Sequence, residues 1–382
     1  MLGDDPPEVT VIGLSWPALR IRSARQAGAT HIVIVACHIT PALVEAIDEA
    51  RDLGTSMLLA RSTDETNDAF HPDEPVLLIS GRKLVDDAAV CALAAAERST
   101  LLCVALDAGA SFELIDAKAR WSGFARIDGA LVRSTTTATA TVNGDWDLAS
   151  MLLRRAISAR ARREMLDNAP LDASDNGATT AAGRSIIAAA GNAPSSGWGE
   201  NWVLHPAVRM TAMLARNRLW VIAKVGPWAG YALVLASAPA AWLTPIAAPP
   251  VFIAGMALAN LGRLARRATG MKGVASHLND RVVGLGAAAT LATIVVMSQP
   301  IVAIAILACV LTGLIVLDRR LTSRLHEPSW LADVPGYAIV IGLSLIWGGK
   351  GLVIGLATAV VHGFATLAWR QNSLSRALTQ SR

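Results

Sequence analysis

The feature that most constrains this chain is a set of long charge-free apolar runs, all of which lie after Arg218. Six segments follow, at roughly 219–242, 245–261, 282–298, 300–317, 335–348 and 351–369. Most have the ~17–25 residues that a helix needs to cross the hydrocarbon core of a bilayer, and the fifth is short. They predict an all-α six-helix transmembrane domain over residues 206–372, with a cytosolic tail at 373–382. A mean hydropathy of +0.43 and 53% hydrophobic residues fit that reading. The chain before Arg218 has the composition of an ordinary globular domain.

The loops between the runs give an orientation. Arg209, Arg216 and Arg218 precede the first run. Arg263, Arg266, Arg267, Lys272 and Arg281 join the second to the third, and Arg319, Arg320 and Arg324 the fourth to the fifth. Arg370, Arg376 and Arg382 close the chain, and Lys350 is the one clear exception on the other side. The bias of Lys and Arg toward the cytoplasm therefore places both termini there, in a multi-pass protein of the inner (cytoplasmic) membrane. The opening residues MLGDDPPEV carry acids where a secretory signal would carry a basic region and an apolar core, so the first domain is expected to start in the cytoplasm. VRMTAMLARNRLW (208–220) has Met210, Met213, Leu214 and Trp220 at helical spacing, a pattern suited to a helix at the membrane surface. Lys224, Asn260 and His362 are polar residues inside the apolar runs, and such groups are candidates for function because burying them is costly. Lys224 is close enough to the first run's start to reach the interface.

Residues 1–165 alternate short apolar runs with amphipathic stretches. Strands are expected at 9–14, 31–37, 56–61, 75–80 and 100–106, and helices at 17–28, 40–53 and 86–97. Continuous apolar strands separated by helices predict a mostly parallel sheet covered on both faces, a three-layer α/β domain. Residues 166–205 are small and polar apart from IIAAA (186–190), which predicts a flexible linker with at most a short helix. Cys37, Cys91, Cys103 and Cys309 stand far apart without ligand spacing and read as buried free thiols. A net charge of +4 with no basic, aromatic-interleaved patch argues against nucleic acid as a partner.

Three segments of the first domain carry a resemblance. PALRIRSARQAGATHIVIV (17–35) is similar to the early helix and second strand of sugar-phosphate nucleotidyltransferases. LLISGRKLVDD (77–87) resembles the strand whose aspartate binds that family's catalytic metal, and GDWDL (144–148) its later acidic motif. The departures are specific. GLSW follows the first strand where the family has a glycine-rich loop with Arg and Lys, and Arg82 stands at the first metal aspartate. A metal ion there needs hard oxygen ligands, which a guanidinium does not supply. Asp145 and Asp147 remain as candidates to face a nucleotide, or as surface acids capping the helix LASMLLRRAISARARREM (148–165).

The connection between the second and third apolar runs carries a second resemblance. CDP-alcohol phosphatidyltransferases have six transmembrane helices and, at this junction, the pattern D-x2-D-G-x2-A-R-x8-G-x3-D-x3-D. Gly262, Ala265 and Arg266 match it. The four aspartate positions hold Leu258, Leu261, Asn279 and Val283, and the second glycine is Ala275. Together the two resemblances imply a diverged fusion of a nucleotidyltransferase-like domain with a phosphatidyltransferase-like membrane domain, tied to polar-lipid head groups but with both metal sites degenerate. Membrane lipids are the expected partners, with a nucleotide or CDP-alcohol as further candidates and a homodimer as an open oligomeric state. Arg263, Arg266, Lys272, Asn279 and Asp280 are the candidates for holding a head group or phosphate. No cofactor is expected in that regulatory, scaffolding or lipid-binding role. The alternative is an active transferase with a rearranged site, which would use magnesium. A transporter is a weaker third reading, with only Lys224 and His362 to form a midplane site.

Overall fold

The computed structural model describes residues 10–36, 38–62, 64–66, 69–80, 83–108, 112–140, 147–167, 170–172, 176–191, 198–199, 203–271, 276–297, 305–312, 314, 331 and 333–380. The chain divides into two compact units, Met1–Ile186 with Thr269–Lys272, and Ile187–Ala268 with Gly273–Arg382.

The first unit is α/β. Helix α1 (Trp16–Gln26) and α2 (Pro41–Asp52) flank strand β1 (His31–Val35), which pairs in parallel with β2 (Ser56–Ala60). Thr40 caps α2 by accepting from the Leu43 amide at 3.2 Å, and Pro41 supplies the fixed φ suited to a first turn. A second sheet holds β3 (Pro75–Ile79), β5 (Thr100–Ala105), β6 (Glu113–Leu114), β7 (Ala119–Asp128) and β8 (Arg162–Met165). Its order is β3-β7-β5-β8, with β6 also on β7. A short antiparallel pair joins β4 (Lys83–Leu84) to β9 (Leu171–Asp172). Three helices complete the unit's first part: α3 (Asp87–Ala94), α4 (Gly129–Ala140) and α5 (Leu148–Ser158).

Alternation along β5 and β7 explains the layering. Leu101, Cys103, Ala125 and Ile127 point to one face and pack on Val132 of α4 and Leu152, Leu153 and Ala156 of α5. Leu102 and Phe124 point to the other and pack on Val90 and Leu93 of α3. Arg22 of α1 and Asp87 of α3 add a bidentate ion pair at 2.9 and 3.1 Å, with Arg22 only 4% exposed.

Several sequence expectations are corrected. The sheet is mixed, not mostly parallel: β7 runs antiparallel to β3, β5 and β6. The cause is local, because Asp116 accepts from the Lys118 and Ala119 amides at 2.8 and 3.0 Å and turns β6 straight back into β7. The described part of the expected first strand is instead a two-residue hairpin turn, in which Val11 and Leu14 exchange both backbone hydrogen bonds at 3.0 Å. Its central residues, Ile12 and Gly13, have φ of 54° and 78°. The helix expected to run through Met165 ends at Ser158, where Arg160 turns left-handed at φ 57° and frees residues 162–165 to pair with β5. Of the three described cysteines all are free, but only Cys103 is buried; Cys91 and Cys309 are exposed. Cys37 lies outside the described residues.

Helix α6 (Asn176–Gly191) follows β9. The second unit is helical, with α7 (His205–Leu214), α8 (Leu219–Leu243), α9 (Ala248–Thr269), α10 (Ser276–Met297), α11 (residues 305–312), α12 (Val334–Leu345) and α13 (Gly348–Gln380). Among the described residues three stretches are long and apolar enough to cross a membrane: Arg216–Leu243, Pro245–Thr269 and Gly348–Ser373. This marks the chain as a membrane protein. Arg281–Val296 and Val334–Leu345 are shorter apolar helices.

Glycines set the packing of this unit. A Cβ on Gly230 or Gly262 would collide with Ala259 or Pro227 across the α8–α9 contact, and one on Gly286 with Val234 across α8–α10. Small residues let these backbones approach, the usual means of tight helix association in lipid. Ser237 and Thr290 place their hydroxyls 2.6 Å apart between α8 and α10, both buried. Trp242 and Trp347, 62% and 73% exposed, stand at the C-terminal ends of α8 and α12.

Candidate functional site

The end of α9 carries Arg263 and Arg266 of the expected site residues, and the geometry there begins with a proline on α8. Pro227 lies inside that helix and has no amide hydrogen, so the carbonyl four residues earlier, on Ala223, loses its helical partner. Arg266 answers it: Nη1 donates to Ala223 O at 3.2 Å. Gly262, one turn before Arg266, packs against Pro227 itself. Thus Gly262 and Arg266, two of the residues matched to the phosphatidyltransferase pattern, both meet the same break in α8.

Arg263 is half-buried and donates to Asn260 Oδ1 on its own helix. Arg267 is exposed. Lys272 and Ala275 lie outside the described residues, and Asn279 and Asp280 are placed only as helical residues of α10. Leu261 and Val283, at two of the four family aspartate positions, are 6% and 4% exposed. Val283 belongs to an apolar cluster with Leu204, Val234, Phe252 and Met256. Leu258 is half-buried.

The nucleotidyltransferase-like candidates are less visible. Arg82 and Asp145 lie outside the described residues. Asp147 is the N-cap of α5, accepting from the Ala149 amide at 3.1 Å, and Ser150 Oγ lies 3.1 Å from its second oxygen. That is the structural role the sequence allowed for it. Ser150 Oγ is also 3.0 Å from Glu113 Oε2. Among the described residues no group of three His, Cys, Asp or Glu side chains comes together.

Two arginines have surroundings that the sequence did not reveal. Arg20 of α1 lies with its guanidinium carbon 5.0 Å from the Trp16 ring centroid, and Nη2 reaches Ser80 O at 3.4 Å. Among the described residues its buried Nε has no hydrogen-bond partner. Burial lowers its pKa to about 10. The signal in the sequence was Trp16 four residues before Arg20, one helical turn apart. Arg370, counted among the tail cations, is 2% exposed on α13, one turn after Thr366 at 1%. Nothing in the run of Arg and polar residues after Trp369 separates it from exposed neighbours. Burial also pushes the Cys103 thiol up to about 11, which suits an inert core residue.

Lys224 is exposed on α8 with Nζ 4.4 Å from the Trp220 ring centroid. His362 is half-buried on α13. Met210, Met213 and Leu214 of α7 are 63%, 41% and 81% exposed, while Val208 and Ala212 are buried, so the helix presents an apolar side outward. No protein-family model matches the chain and no curated protein matches it in sequence, so the likeness to nucleotidyltransferases and to CDP-alcohol phosphatidyltransferases rests on the motifs alone.

Proposed function

We propose that this chain is an inner-membrane protein with six spans and both termini in the cytoplasm, whose helical unit binds anionic lipid head groups at the end of α9 without metal chemistry. In this reading it is a diverged relative of CDP-alcohol phosphatidyltransferases, fused to a degenerate nucleotidyltransferase-like α/β domain, and it acts as a regulatory, scaffolding or lipid-binding protein. The observation that carries it is a pairing of opposites along α9 and the first part of α10. Leu261 and Val283 are buried apolar residues where the related pattern needs carboxylates, while Arg263, Arg266 and Arg267 remain. Metal-assisted transfer needs clustered oxygen ligands; head-group binding needs only cations near the interface.

The topology draws support from the tryptophans. With α8 starting at the cytoplasmic face, Trp242 and Trp347 share the far interface and Trp220 and Trp369 the near one, as aromatic belts require. A reporter fused after Arg382 is expected to be active only in the cytoplasm, and activity on the opposite face overturns this orientation.

The head-group site is tested on the full chain in micelles, with phosphatidylglycerol and phosphatidylcholine competing and bound lipid counted by native mass spectrometry. Phosphatidylglycerol is expected to dominate, and Arg263→Ala to weaken it about fivefold, from roughly 1 kcal/mol per cation near the surface. Arg263 is the better probe because Arg266 also supports α8 through Ala223. Equal retention of the two lipids overturns the site. Magnesium-dependent release of CMP from a CDP-alcohol by the unmodified chain overturns the non-catalytic reading in favour of the transferase.

A further inference from the structure

Strand β8 ends the larger sheet of the α/β unit. It pairs in parallel with β5 and, among the described residues, no strand pairs with its other side. All four of its residues, Arg162, Arg163, Glu164 and Met165, are exposed. The amides of Arg162 and Leu166 donate inward, to Ser99 O and Cys103 O, each at 2.9 Å. Backbone groups alternate along a strand, so the N–H and C=O of Arg163 and Met165 point away from the sheet. An edge of this kind is a template for another strand. The chain enters it through the left-handed turn at Arg160 and leaves it at Leu166, which packs into the apolar cluster of Val90 and Leu93.

The side chains decide which strand fits. Arg163 is ion-paired with Asp116, whereas Arg162 and Glu164 have no ion-pair partner among the described residues. Charges on an edge turn away apolar strands in general, but the order of these charges matches a copy of itself. Across a two-fold axis the two strands run antiparallel, and only outward-facing residues form the hydrogen-bonded pairs. Within β8 that leaves registers centred at 163, 164 and 165. Centring on Arg163 places Arg162 opposite Glu164 of the second copy and Glu164 opposite its Arg162, with Cβ atoms about 4.5–5.5 Å apart. The two arginines at the axis each bring their own Asp116. Centring on Glu164 sets two carboxylates against each other, and centring on Met165 leaves Glu164 facing the apolar Leu166.

We propose that two copies of this chain pair edge to edge through β8, antiparallel and centred on Arg163, so that their two sheets join into one. The second copy supplies strand edge and opposite charge together, and each supplies them to the other. The contact is short, and its strength depends on the concentration at which the edges meet. Two copies held in one bilayer meet at a raised effective concentration. To that extent the pairing rests on the membrane reading of the helical unit; it is independent of the head-group site on α9.

The test uses the full chain in the membranes of the expressing cells, with the exposed thiols Cys91 and Cys309 replaced by Ser. Two differently tagged copies, one Arg162→Cys and the other Glu164→Cys, are expressed together and oxidised with copper phenanthroline. The register brings these positions within disulfide reach and leaves one Arg162–Glu164 pair intact. Disulfide linkage between the two tags is expected to exceed linkage between two Glu164→Cys copies about tenfold. In a second set, Arg163→Cys copies are expected to link at the axis. Adding Arg162→Glu is expected to lower that linkage about tenfold, because both cross-strand pairs become like charges. Adding Glu164→Arg to the same chain is expected to restore it, which a folding defect would not allow. Linkage no greater than in the chain without added cysteines, linkage dominated by two Glu164→Cys copies, or no restoration by the exchange overturns the pairing. Failure of the membrane reading is separable, because the chain would then be released from membranes by alkaline carbonate.

Discussion

The two units solve the same packing problem with opposite residues. In the α/β unit, large side chains fill the space: Leu101, Trp121, Phe124, Ile127 and Leu153 are nearly or fully buried, and the α1–α3 contact is reinforced by the Arg22–Asp87 pair. In the helical unit the closest contacts are made by residues with almost no side chain, Gly226, Gly230, Gly255 and Gly262 along α8 and α9. One of its buried polar contacts is a pair of hydroxyls, Ser237 and Thr290, each also bonded to its own helix. The difference follows from what surrounds each unit. In water, burying large apolar groups is itself the driving force, about 25 cal/mol per Å². In lipid that force is absent between helices, and close backbone approach with dispersion takes its place.

The sharpest way to break this comparison is to put a large side chain where the helical unit has none. Gly262→Leu is expected to abolish folded protein, because the new side chain has Pro227 and Gly226 directly in its path. Ala236→Leu, on an exposed position of α8, is expected to change stability by less than about 0.5 kcal/mol. Thermal unfolding of the full chain in detergent, read by size exclusion, compares the two. Equal behaviour of both variants would show that glycine spacing is not what holds α8 to α9.

A smaller effect sharpens the other half. Arg20 is a cation held against the Trp16 ring, its pKa lowered to about 10 by burial. The folded state thus gives up its proton more readily, and between about 10 and the ordinary arginine range the unfolded chain holds the extra proton. Stability contributed by this group therefore rises with pH through that window, and the penalty is fully present below it. Arg20→Met is expected to stabilise the protein by about 1–2 kcal/mol near neutral pH, discounted for partial exposure. That advantage over the unmodified chain is expected to narrow as the pH passes 10. Urea titrations of both proteins at pH 8 and pH 10.5 measure it, and an advantage that grows with pH contradicts the assignment.

Elements with a strong local signal were readable from the sequence. The strands at 31–35, 56–60, 75–79 and 100–105 are apolar runs, and α2 has its Thr-Pro start. Strand β7 was missed because Arg120, Gly123 and Arg126 interrupt its apolar residues, and only pairing on both sides makes it central. Strand β8 was missed because all four of its residues are exposed, so no burial pattern marks it; its partner β5 defines it. The turn at Ile12 has the composition of a strand and is over-ruled by the packing of Val11 and Ile12, 2% exposed each. At the candidate site, the arginines of α9 were visible from their sequence positions, but the bond from Arg266 to Ala223 was not. A proline inside an apolar helix always releases a carbonyl, and that rule is the signal that would have found it.

The tryptophans at the two ends of α8 act as a ruler. From Trp220 to Trp242 the helix covers about 33 Å at 1.5 Å per residue, slightly more than the ~30 Å hydrocarbon core. A helix of that length stands nearly upright in a thick bilayer and leans in a thin one, at a cost of a fraction of a kcal/mol per Å of mismatch. Because α8 is locked to α9 at Gly230 and Gly262, it cannot lean alone. A change in membrane thickness is therefore felt by the pair as a whole.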